Sequence, residues 1–395
     1  MIAFRKPFTV GIFEGVLVWG MDYKILLVTS QLLGYMLAKF AGIKFISEIT
    51  RPKRAVTLIL MIVIAEVSLI LFGNTPVPYN LIFMFINGIP LGMVWGLVFS
   101  YLEGRKNTEI LGVGLSLSFI VATGFVKSIG QLVKNNWGFS EFQLPYITGL
   151  LFLLPYFLFV LMLNNIPNPS AEDEEYKTKR IPMTKADRKN FFFRFAPGLI
   201  ILTVTYMFIT GYRDYRDYFI ADIWKSLGFG NQPSVFTTTE IYVALGVLFV
   251  LAFIVFFKKN IYALIVNHIF VLLGLLTVGV GTILFTKGII SPYIWMVLNG
   301  FGGFMCYVPF NCLIFDRLIA TFKHESNSGF LIYFADSFGY LASISIMLYK
   351  NFFASSESKL QFFIFFSYIF SITGMVLITA SIIYFVKKKK KDLSM

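Results

Sequence analysis

Residues Ile86–Trp95 read I-N-G-I-P-L-G-M-V-W, and residues Leu298–Tyr307 read L-N-G-F-G-G-F-M-C-Y. At a constant offset of 212 positions Asn87-Gly88 meets Asn299-Gly300, Met93 meets Met305 and Trp95 meets Tyr307. A few residues further on, Glu103 answers Asp316 one residue out of register and Arg105 answers Arg317. Both stretches lie in apolar runs, so the repeat reads as one helix seen twice in a chain built of two similar halves. Gly88, Gly92 and Gly96 in the first copy, and Gly300, Gly302 and Gly303 in the second, suit close approach of helix backbones.

Composition fixes the medium in which these halves fold. Of 395 residues, 57% are hydrophobic and 14% charged, and the mean hydropathy is +0.75. Soluble domains carry about 25% charged residues, so a water-soluble globule is excluded. The apolar runs are continuous rather than alternating, which excludes an outer-membrane barrel. A membrane helix needs about 20 apolar residues, and such spans fall near 25–46, 55–73, 79–102, 108–133, 142–164, 196–215, 236–257, 262–286, 291–315, 328–349 and 360–386. A partial span precedes them at 1–14. The expectation is therefore an all-α polytopic membrane protein with a six-plus-six helix bundle, in which eleven spans are full and the first helix is incomplete. Its parts are a half over 1–164, a polar linker over 165–195 with Pro167 and Pro169 ending the preceding helix, and a half with a basic tail over 196–395. Because Met1 lies only four residues before Arg5, half a helix is expected to be missing upstream. No cleavable signal peptide is visible.

The formal net charge of +13 first serves orientation. Alternate loops and the tail hold 22 of the 34 lysines and arginines, including Arg51 to Arg54, Lys177 to Arg194 and Lys387 to Lys391. The opposite loops hold 7, among them Lys24, Lys134, Arg216, Lys225, Lys350 and Lys359. The positive-inside rule places the tail and the linker in the cytoplasm, with the spans in the inner membrane. Cations scattered over separate loops argue against a nucleic-acid partner. Cys306 and Cys312 are six residues apart, about 9 Å along a helix axis, too far for a disulfide. With only His268 and His324, and none of the common catalytic patterns, no metal, no cofactor and no enzyme activity are expected. Glu66, on a helix expected to be peripheral, reads as structural.

The five remaining cations, Arg5, Lys6, Lys39, Lys127 and Arg213, fall inside spans, as does Asp336. A cation at the bilayer centre costs about 2.5–3.5 kcal/mol on insertion scales. Such residues need a compensating partner or a wet cavity. Arg5 and Arg213, one from each half, are expected to face each other and to grip one oxyanion through charge-assisted hydrogen bonds. Other readings stay open. Arg213 also has Asp214 or Asp217 at hand as local partners, and the internal offset favours Arg216 in its place. Lys39 and Lys127 are also placed to snorkel to the nearer membrane face, and Asp336 to neutralise a basic residue or carry a proton.

Three motifs suggest a family. Arg5-Lys6-Pro7-Phe8 resembles the first-helix R-K-x-F of the organophosphate:phosphate antiporters of the major facilitator superfamily. Tyr35 to Phe40 resembles their second-helix Y-x-x-x-K-F, and Asn87-Gly88, Gly92-Met93 and Trp95 resemble their fourth-helix N-G-x-x-x-G-M-x-W. The likeness is concentrated in residues 4–105. The whole chain is also similar to an uncharacterised family of major-facilitator-like bacterial proteins. The resemblance implies that Arg5 and Arg213 hold a phosphate, with Lys6 and Lys39 adding positive potential. The family's fifth-helix histidine has no counterpart around Ser116 and Ser118, and Asp336 and Lys127 match nothing in its pattern. The expected function is secondary transport of a small anionic solute, an organophosphate or phosphate, by alternating access in a monomer whose other partner is the lipid bilayer. The rival is a membrane sensor that binds an organophosphate without moving it.

Overall fold

Apolar helices take up most of the chain in this computed structural model, which describes residues 1–102, 108–167, 185–257, 259–322 and 328–393. In chain order they are α1 (Tyr23–Glu48), α2 (Arg51–Asn74), α3 (Leu81–Leu102), α4 (Thr108–Trp137), α5 (Leu144–Asn164), α6 (Lys185–Tyr218) and the short α7 (Ile220–Ser226). They continue with α8 (Ser234–Ala252), α9 (Asn260–Thr286), α10 (Pro292–Cys312), the short α11 (Ile314–Phe322), α12 (Ser328–Phe352) and α13 (Lys359–Leu393). Each of the eleven expected spans coincides with one of the long helices. Among the described residues, nine helices are long and apolar enough to cross a membrane. Leu154, Leu158 and Phe159 on α5 and Phe365, Ile372 and Val376 on α13 are exposed, as lipid-facing side chains are. Most of the expected linker, 168–184, lies outside the described residues. The lysine run Lys387–Lys391 continues α13 as helix rather than forming a separate tail.

The first residues differ from expectation. In place of the end of an α-helix they form two 3-10 turns, Ile2–Phe4 and Pro7–Val10. Pro7 has no N–H to donate into a helical ladder, and the chain soon leaves helical space: Gly11 is extended, while Phe13 (φ 53°) and Gly15 (φ 77°) are left-handed. A two-residue hairpin follows, pairing β1 (Leu17–Val18) with β2 (Met21–Asp22). Its tip, Trp19 and Gly20, has positive φ at both positions (51° and 75°), the backbone a tight hairpin demands. Asp22 then caps α1, its carboxylate accepting from the N–H groups of Lys24 (2.9 Å) and Ile25 (3.3 Å).

Two compact units divide the chain. The first comprises 1–177, 215–240 and 344–360; the second comprises 178–214, 241–343 and 361–395. In the first, α1 and α3 touch backbone to backbone. A Cβ built on Gly88 would lie 2.2 Å from the Gln31 carbonyl oxygen, and one on Gly34 would lie 2.1 Å from that of Phe85, so neither position has room for alanine. In the second, Gly274 of α9 and Gly302 of α10 make the matching approach, each Cβ meeting the other's carbonyl oxygen at about 2.5 Å. Tyr212 is stacked on Phe370 there, with ring centroids 4.2 Å apart and planes at 4°. His268 is a satisfied core residue, bonded to the Leu264 carbonyl (2.8 Å) and Ser381 Oγ (3.0 Å).

Candidate functional site

The segment that carries Arg5 and Lys6 is irregular, so its shape depends on anchors from its neighbours. Asn87 Nδ2 donates to the Phe4 carbonyl (3.1 Å) and to the Ala65 carbonyl (3.0 Å), while its Oδ1 accepts from Gln31 Nε2 (2.7 Å). Gln31 Nε2 also donates to the Arg5 carbonyl (3.2 Å). Further along, Lys24 Nζ donates to the Thr9 carbonyl (2.8 Å). The Glu141 carboxylate, in the turn between α4 and α5, accepts from the N–H groups of Ile12 (3.0 Å) and Phe13 (2.6 Å). Burial by itself would raise the Glu141 carboxyl, but the Ile12 N–H, Lys134 (2.5 Å) and the Phe13 N–H outweigh it and hold the group below the ordinary glutamate value. The repeat's Asn87 thus holds the Phe4 carbonyl directly and the Arg5 carbonyl through Gln31.

The side chains so placed form a connected cationic cluster in the first unit. The Arg5 guanidinium lies 4.1 Å from the Tyr35 ring centroid and donates through Nη2 to the Tyr218 hydroxyl (3.1 Å). Lys6 Nζ sits 3.7 Å over the Tyr218 ring and is ion-paired with Asp217. The other oxygen of Asp217 pairs with Lys127, which also donates to the Asp217 carbonyl (2.6 Å). All three cations are buried, with Lys127 only 1% exposed. Removing a cation from water costs several kcal/mol in real proteins, of order 5. Ring faces return roughly 2 kcal/mol when desolvated, so Tyr35, Tyr218 and Asp217 together make the burial tenable. Lys6 and Lys127 thus meet on Asp217, and Arg5 and Lys6 meet on Tyr218.

The other expected residues are distributed as follows. Lys39 is buried between aromatic rings, 5.5 Å from the Trp95 centroid and 5.6 Å from that of Tyr35. Tyr35 therefore carries Arg5 and Lys39 together, and Lys39 does not snorkel to an exposed position. Arg216 is paired with Glu240 of α8 (2.9 Å), both buried. In the second unit, Arg213 donates to Asp214 Oδ1 through Nε (3.1 Å) and Nη2 (2.7 Å), with its guanidinium 4.0 Å over the Tyr307 ring. Asp214 Oδ2 accepts from Ser343 Oγ (2.8 Å). Asp336 accepts from the Tyr206 hydroxyl (2.6 Å), and Tyr206 stacks on Tyr307 at 5.9 Å. The local carboxylate reading of Arg213 is the one realised, with Asp214 as the partner.

Several contributors escaped the sequence reading. Asp217 appeared there only as a possible partner of Arg213, and Tyr218 and Gln31 not at all. Lys24, counted as a loop cation, is fully buried and bonded to Asp222 (2.5 Å). Lys359 joins that pair, reaching Asp222 (2.9 Å) and Asp22 (3.2 Å). An Arg-Asp pair repeated every third residue in Tyr212–Tyr218 was the available signal: on a helix residues three apart share a face, so Asp214 and Asp217 are stacked about one turn apart. Glu66 is buried beside Gly149, and among the described residues neither carboxylate oxygen has a hydrogen-bond partner. No group of three or more His, Cys, Asp or Glu able to hold a metal occurs among the described residues.

Residues 7–388 match the family of unknown function DUF5690, and the chain belongs to that family. No curated protein matches the sequence. Among solved structures, a D-xylose–proton symporter superposes with a TM-score of 0.60 at 15% identity, covering 95% of this chain and 94% of that one. The fold is thus that of a major-facilitator-type, multi-pass membrane protein.

Proposed function

We propose that this protein is a secondary transporter that moves a small anionic solute, phosphate or an organophosphate, across the bacterial inner membrane by alternating access. The observation that carries the reading is the buried cluster of Arg5, Lys6 and Lys127 around Asp217 and Tyr218. Cations held inside a membrane bundle are expensive to maintain, and where they occur they mark a solute path. A neutral sugar needs hydrogen-bonding side chains, whereas buried ammonium and guanidinium groups suit a multivalent oxyanion. Likeness to the symporter supports the scaffold and leaves the cargo to the chemistry of the cluster. Lys39 adds positive potential through Tyr35, and the linker and C-terminal end of α13 are cytoplasmic in this reading.

The test is uptake of radiolabelled phosphate, glycerol 3-phosphate and glucose 6-phosphate into proteoliposomes containing the whole chain. Saturable uptake of at least one, lost in Arg5→Gln, is the expected result. Saturable binding without uptake points instead to a sensor, and the absence of both rejects the anionic cargo.

A further inference from the structure

The cluster holds a feature that cation count alone does not explain. Asp217 offers one oxygen to Lys6 and the other to Lys127, so both ammonium groups hold the same carboxylate. Asp217 is held in place by its own backbone as well, because Lys127 Nζ donates to its carbonyl (2.6 Å). It sits at the end of α6, directly before Tyr218, whose hydroxyl accepts from Arg5 and whose ring carries Lys6. Any anion seated on Lys6 and Lys127 must take the place of this carboxylate.

Resting on the anion reading above, we infer that Asp217 is a built-in competitor that sets a charge threshold, admitting dianions and turning away monoanions of the same shape. A monoanion that displaces Asp217 exchanges one negative charge for another and gains little. A phosphomonoester, which carries close to two charges at neutral pH, satisfies both ammonium groups at once. The carboxylate thus acts as a specificity-determining group without being part of the ligand's own contact set.

Methyl phosphate and methyl sulfate make the cleanest probe pair, since they share a tetrahedral shape and differ by one charge. Calorimetric titration of the purified whole chain in detergent at pH 7.5 is expected to show binding of methyl phosphate and none of methyl sulfate. In Asp217→Asn, methyl sulfate becomes a ligand, at least about tenfold tighter than in the parent, and methyl phosphate tightens as well. Asp217→Glu, which keeps the charge, retains the discrimination. If methyl phosphate binds the parent while Asp217→Asn leaves methyl sulfate unbound, the threshold is overturned and the anion site stands. If neither probe binds parent or variant, the anion site falls and the threshold with it. Should Asp217→Asn not fold, isotope-edited infrared difference spectra of the parent decide the matter. Methyl phosphate must then shift an aspartate carboxylate band, and binding without that shift overturns the inference.

Discussion

Asn87 and Asn299, equivalent in the internal repeat, each hold the residue that precedes an arginine, buried at Arg5 and partly exposed at Arg213. Asn87 donates to the Phe4 carbonyl ahead of Arg5, and Asn299 accepts from the Tyr212 hydroxyl (2.7 Å) ahead of Arg213. The register of contacts thus matches Arg5 with Arg213, whereas the bare sequence offset favoured Arg216. Beyond that shared anchor the surroundings diverge. Arg5 lies on Tyr35 and bonds the Tyr218 hydroxyl, in a cluster where two lysines share Asp217. Arg213 is gripped twice by Asp214, whose second oxygen takes Ser343. The lesson is that the repeat keeps the anchoring asparagine while the charged surroundings of the neighbouring arginine change. One copy gathers its cations around Tyr218 and Asp217, and the other pairs its arginine with the adjacent Asp214.

That contrast is most directly broken by paired substitutions at the two arginines. Arg5→Gln is expected to reduce uptake at least about a hundredfold, as removal of a buried charged contact costs 2–5 kcal/mol. Arg213→Gln strands Asp214 and is expected to lower the unfolding temperature more than it lowers uptake by the protein that stays folded. Abolished uptake with unchanged stability in Arg213→Gln would make the two arginines equal partners after all. Uptake assays and thermal unfolding in detergent, run on the same preparations, separate the cases.

Packing gives the next largest contrast. Gly88→Ala pushes a methyl into the Gln31 carbonyl, a backbone atom that cannot swing aside, and is expected to destabilise by about 1–3 kcal/mol. Gly303→Ala places its methyl 3.8 Å from the Tyr212 ring, ordinary contact, and is expected to be near neutral. A comparable difference is expected between the asparagines. Asn87→Leu leaves the Phe4 carbonyl and the Gln31 amide short of a partner, at about 1–3 kcal/mol for each buried group. Asn299→Leu removes one of two bonds to Tyr212, whose hydroxyl still has Ser367 Oγ at 2.9 Å, and is expected to cost less. Both comparisons are read from thermal melts.

The smallest expected effect concerns acid. The Glu141 carboxyl is depressed in the folded protein, so its contribution is complete above the unfolded glutamate value of about 4.3 and is lost as pH falls through the lower folded value. Hydrogen exchange at Ile12 and Phe13 should therefore quicken in the acid range. Glu141→Gln should show that faster exchange already at neutral pH. Equal exchange in parent and variant at neutral pH would mean that the latch does not hold the segment.

The long helices were readable because bilayer solubility demands long apolar runs, and a run of 20 such residues has no other common use. The cations Arg5, Lys6 and Lys127 were readable for the complementary reason: charge inside such a run is costly, so its presence signals a use. Their partners were less visible. Asp217 and Asp214 are three residues apart in one repeating run, and only the three-dimensional path decides which cation each receives. The two 3-10 turns at the start were missed because an apolar run of ten residues looks helical until Pro7, Gly11 and the left-handed Phe13 are weighed together. Lys24 was assigned to a loop by position alone, and nothing near it in sequence foretold Asp222.

One consequence follows from the length of α13. Its 35 residues extend about 52 Å at 1.5 Å per residue, while a bilayer's hydrocarbon layer is about 30 Å deep. The surplus reaches past the hydrocarbon layer, and Lys389 guys the C-terminal end to α11 by donating to the Thr321 carbonyl (2.7 Å). A spin label set among Lys387–Lys391 would ride that tethered end, giving a ruler for any tilt of α13 relative to α11.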